Sequence, residues 1–137
     1  LLQMALNTNA IFTVATFFIL WVAFRFAGKM REGESTMLGR VLTSLFGLMI
    51  IWNGLILFSS RNFSISSAAS GLKSIKASGQ ALGAQAEAFL TVPFVTSASA
   101  NTEFSIFSDI PSLIFWLVVT IMLLSVIWMP VSAKKSS

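Results

Sequence analysis

The chain has 137 residues, enough for one domain, and is 55% hydrophobic but only 10% charged, with a mean hydropathy of +0.84. Soluble domains carry about 25% charged residues, so lipid or other protein must solvate most of these side chains. The formal charge of +4 comes without a basic stripe interleaved with aromatics, which argues against nucleic acid as a partner, and the absence of Cys and His removes disulfides, thiolate nucleophiles, imidazole bases and most transition-metal sites.

A lipid-crossing helix needs about 20 mainly apolar residues. The first such run covers about 4–24, with "AIFTVATFFILWVAF" as its densest part. No basic residue precedes it, so Leu1–Leu20 does not read as an intact signal peptide. A short basic connection follows, holding Arg25, Lys29, Arg31 and, at its far edge, Arg40. Glu32 and Glu34 stand among these bases and read as salt-bridged, solvated charges, not as an acid–base pair.

The second run covers about 37–58, "MLGRVLTSLFGLMIIWNGLILF". Gly39, Thr43 and Gly47 recur at four-residue spacing, with Gly54 one heptad later. Small residues on one face let another helix approach closely. Asn53 is the one amide well inside a span. A buried amide needs a hydrogen-bond partner in lipid, and Thr16, Thr120, Ser125 or a neighbouring subunit would serve. Interhelical bonding worth about 1 kcal/mol outweighs a proton, ion or ligand contact. No carboxylate or Lys lies at mid-span, which argues against a proton relay or an ion-coupled carrier. Arg40 is placed to snorkel to the interface as an anchor.

The connection over about 60–110 is rich in Ser, Ala and Gly. Ile65, Ala68, Ala69, Leu72, Ile75, Gly79, Leu82, Ala86 and Phe89 recur at helical steps, opposite Ser66, Ser70, Lys73, Ser74, Gln80 and Gln85. The spacing predicts an amphipathic helix interrupted by Gly71, Gly79 and Gly83. Such a helix is marginal alone in water, so docking on the membrane or on a partner is expected, and its Ala and Gly residues favour protein. The second half contains Pro93 and the apolar residues Phe94, Val95, Phe104, Ile106 and Phe107, too many for a free loop. Leu72, Ile75, Leu82, Phe89, Phe94, Phe104 and Phe107 are therefore the expected partner contacts. Asn62-Phe63-Ser64 matches a glycosylation acceptor, but one set close against the membrane.

The third run covers about 111–129, "PSLIFWLVVTIMLLSVIWM", with Asp109 placed to cap it and Pro111 in its first turn. Trp21, Trp116 and Trp128 fall near span ends, at the depth indoles favour, whereas Trp52 lies inside span two against protein or lipid tails. Lys134 and Lys135 follow in the tail. The short connection and the tail hold six basic residues against three (Arg61, Lys73, Lys76) in the long connection. The positive-inside rule then places the N-terminus out and the C-terminus on the cytoplasmic or equivalent side. A bacterial inner membrane or an organelle inner membrane is the expected setting.

The fold class expected is all-α integral membrane: a single membrane domain over 1–137, with three transmembrane helices and a long, partly helical extramembrane loop between spans two and three. No phosphate loop, metal-spaced carboxylates or nucleophile–base pair is present, and "GLKSIKASGQALG" has the wrong spacing for nucleotides. We therefore expect no enzyme and no catalytic, cofactor or metal residues, although lipid or pigment has room against the Phe-rich faces. The leading reading is a non-catalytic accessory subunit of a multi-subunit membrane complex, partnered by lipid and other integral membrane subunits. The alternative is a homo-oligomeric pore or small channel, its copies meeting through Gly39–Gly47, with Asn53, Thr43 or Ser44 lining a polar path. Three spans, N-out and C-in, with a basic tail, resemble small phage holins in outline. That resemblance is one of topology and carries no residue, and the long outer loop departs from the short connections of that family.

Overall fold

A computed structural model describes residues 2–33, 36–98, 103–107 and 109–129. Its elements are all α-helices: α1 (Leu2–Glu32), α2 (Met37–Ala77), α3 (Ala84–Thr91), α4 (Pro93–Ala98) and α5 (Ile110–Trp128). Helices α1, α2 and α5 are each long and apolar enough to cross a membrane. Only 22%, 33% and 22% of their most apolar stretches are buried inside the chain. The remainder must meet lipid or protein.

Helix α1 runs past the expected span end because nothing between Arg25 and Glu32 breaks it. Lys29 and Arg31 in its last turn face the negative end of the helix dipole. The larger departure is α2. The sequence placed a boundary near Phe58, where the apolar run stops, but the helix continues to Ala77. Its 41 residues extend about 62 Å, roughly twice the hydrocarbon thickness. No proline interrupts it, and its serines close locally: Ser64 Oγ donates to the Ser60 carbonyl at 2.9 Å. Gly71 sits within this helix and does not interrupt it. The break comes at Gly79, which adopts φ +85°, a conformation costly for any residue with a Cβ. Val92 takes the extended backbone required before a proline, and Pro93 then occupies the first position of α4.

The chain divides into two compact units, with α1 and α2 passing through both. One contains Thr13–Leu55 and the apolar helix after Pro111. Its buried residues repeat at three- and four-residue steps: Thr16, Leu20, Ala23 and Ala27 on α1; Thr43, Gly47, Ile50 and Gly54 on α2; Trp116, Val119, Leu123 and Ile127 on α5. Each helix thus turns one stripe inward.

The other unit contains the start of α1 and Ile56–Ile110. Ile65, Ala69 and Val95 form its buried cluster, with Leu6, Phe89, Leu90 and Val92 packed around it. Asn9 Nδ2 donates to the Leu57 carbonyl at 2.9 Å. Asn62 Nδ2 donates to Asp109 Oδ2 at 3.0 Å, which ties α2 to the residue immediately before α5. Lys76 and Glu87 form an exposed ion pair at 3.3 Å.

Candidate functional site

The glycine ridge of α2 is engaged within the chain. A Cβ built at Gly47 would collide with the Leu123 side chain, and one built at Gly54 would fall on the Trp116 indole, 2.7 Å from Cε2. Both glycines permit α5 to lie against α2 at a distance no larger residue allows. A Cβ built at Gly39 would lie 3.1 Å from the end of the Met30 side chain. Thr43 is buried, and its hydroxyl donates to the Gly39 carbonyl at 2.9 Å. Ser44 Oγ donates to the Arg40 carbonyl at 2.8 Å and accepts from Trp128 Nε1 at 3.0 Å. Thr43 and Ser44 thus direct their hydroxyls to the α2 backbone and, for Ser44, to Trp128.

Trp116, expected near a span end, is enclosed by the chain itself. It is 1% exposed, stacked on Phe17 with ring centroids 6.1 Å apart, because Gly54 leaves the space its ring fills. Trp52 lies exposed on α2, as a tail-facing indole would.

Asn53 also faces outward. Thr16 is buried on α1, and the Thr120 hydroxyl donates to the Trp116 carbonyl at 2.7 Å. Helix rotation explains the separation. Gly47, Ile50 and Gly54 occupy the inward stripe, and Asn53, 100° from Gly54, is carried off it onto the exposed flank. There it is flanked by Leu45, Phe46, Met49 and Trp52, all exposed. The result is an apolar ridge with one amide in it, inside a helix able to cross a membrane.

The expected loop contacts divide. Phe89 is half-buried, packed on the chain's own cluster of Ile65, Ala69 and Val95. Leu72 and Leu82 are half-buried. Phe104 rests edge-on against Phe63 at 6.2 Å and stays half-exposed. Ile75, Phe94 and Phe107 are exposed. The exposed apolar patch is therefore smaller than the sequence implies, because α3 and α4 pack part of it within the chain.

Of the basic anchors, the Arg25 guanidinium lies 5.6 Å from the centre of the Trp21 ring. Lys29 and Arg31 are exposed in the last turn of α1, and Arg40 is half-buried near the start of α2. Lys134 and Lys135 lie outside the described residues. Glu32 is exposed and joins no ion pair among the described residues.

No family model, characterised protein or solved structure matches this chain.

Proposed function

We propose that this protein is a non-catalytic subunit of a larger integral membrane complex, inserted with its N-terminus out and its C-terminus on the cytoplasmic or equivalent side. The observation that carries the reading is the outward Asn53 amide in α2. An amide facing hydrocarbon without a partner is unfavourable by a few kcal/mol. A helix of another subunit that offers a donor and an acceptor relieves this. The exposed Leu45, Phe46, Met49 and Trp52 around it supply the packing surface. Ile75, Phe94 and Phe107 add a second contact outside the apolar spans.

The second reading is a homo-oligomeric pore. The same residue favours it, since two Asn53 amides are mutually complementary. The Gly39–Gly47 ridge supports it less, because Met30 and Leu123 already cover that ridge. Gentle detergent extraction, sizing and mass spectrometry separate the two. Different proteins in fixed ratio, lost on Asn53→Leu, support the subunit reading. A complex of this chain alone overturns it in favour of the pore.

A further inference from the structure

We propose that the groove at the basic end of α1 binds the phosphate of one anionic phospholipid. The groove is an open one of about 410 Å³ along α1, lined by Trp21, Phe24, Arg25, Gly28, Lys29 and Glu32. These residues stand at three- and four-residue steps, so they form one stripe along the helix. Arg25 and Lys29 are one turn apart. Gly28, one turn from Arg25 and next to Lys29 in sequence, has no side chain on the flank of that pair, and a Cβ built there meets nothing within 4 Å. The stripe therefore holds an open notch beside two cations.

Charge and depth both fit a lipid headgroup. Two cations and one carboxylate leave the lining at +1, which matches the single negative charge of a phosphodiester. The notch begins where the apolar run of α1 ends, at the depth of lipid phosphates. Arg25 is held over the Trp21 ring, which restricts the guanidinium and leaves its fork for phosphate oxygens. Glu32, at the far end, suits the hydroxyls of a glycerol headgroup. Toward the apolar side, Trp21 stacks on Phe18 at 6.0 Å, and Phe18 and Val14 are exposed. That continuous apolar surface takes an acyl chain. A free phosphate has no use for it, which is why the ligand assigned is a lipid.

The test is native mass spectrometry of the full chain in detergent, titrated with phosphatidylglycerol, with phosphatidylcholine of the same acyl chains, and with inorganic phosphate. One phosphatidylglycerol should be retained about thirtyfold more tightly than phosphatidylcholine, from two cations near the headgroup. Arg25→Gln with Lys29→Gln should abolish that preference. Gly28→Leu keeps every charge, fills the notch and improves helix propensity, and it should weaken retention about tenfold if the notch holds the lipid. Arg31→Gln, outside the groove, should change little. Lipid retention unchanged by Gly28→Leu would show diffuse attraction and overturn the site. So would equal retention of the two lipids, or inorganic phosphate displacing phosphatidylglycerol at equal concentration.

Discussion

The Trp116 indole occupies the position where any side chain at Gly54 would stand. The helix pair α2–α5 is therefore built around a mutual fit, a missing Cβ on one helix and the largest side chain on the other. Gly54→Ala should displace the indole or the backbone and destabilise the chain by about 1–3 kcal/mol. Thermal unfolding in detergent, followed by Trp fluorescence, checks this. An unchanged midpoint would mean that the indole moves aside freely.

Gly47 and Leu123 repeat the relationship with an aliphatic cap. Gly47→Ala should destabilise, and Leu123→Ala should recover part of that loss by vacating the space. A double-mutant cycle should return a coupling of about 0.5–3 kcal/mol. Strict additivity would show that the two residues do not share the contact.

On the proposed reading Asn53 serves assembly and not folding. It is exposed, so Asn53→Leu in the isolated chain should shift stability by no more than about 0.5 kcal/mol. Partner retention after extraction from the native membrane should fall in the same variant. A large loss of isolated-chain stability would place Asn53 in the chain's own packing instead.

The Asn62–Asp109 bond holds the start of α5 to α2. Asn62→Leu should cost about 1–3 kcal/mol, as expected for a hydrogen bond to a carboxyl group. Faster amide hydrogen exchange in the first turn of α5 reports it. The same bond engages the nitrogen that glycosylation would use, so Asn62 should stay unmodified when the chain is made in a secretory eukaryotic cell, as its mass will show.

Gly79 turns the chain out of α2 at φ +85°. Gly79→Val should cost about 1–3 kcal/mol of strain and loosen α3 and α4 from the Ile65–Ala69–Val95 cluster. Limited proteolysis between Ser78 and Gly83 should accelerate. Removing the exposed Lys76–Glu87 pair nearby should change little, within about 1 kcal/mol.

Three membrane-length helices were legible in composition and run length alone, because hydrocarbon demands an uninterrupted apolar helix of fixed minimum length. The gathering of basic residues at the ends of the apolar runs was legible too, because it is a property of local sequence. Tertiary structure decided where side chains point and where helices end. The continuation of α2 to Ala77 was hidden because the apolar run stops at Phe58 while the helical spacing does not. The burial of Trp116 depends on the socket at Gly54, which lies 62 residues away in the chain. Asn53 read as a buried amide, yet Gly47 and Gly54 turn the other face of α2 inward. Apolar composition sets that a helix crosses lipid, but it is nearly the same on every side of these helices. Rotation about the axis is instead set by which helix can approach most closely, and close approach depends on pairs of residues far apart in the chain.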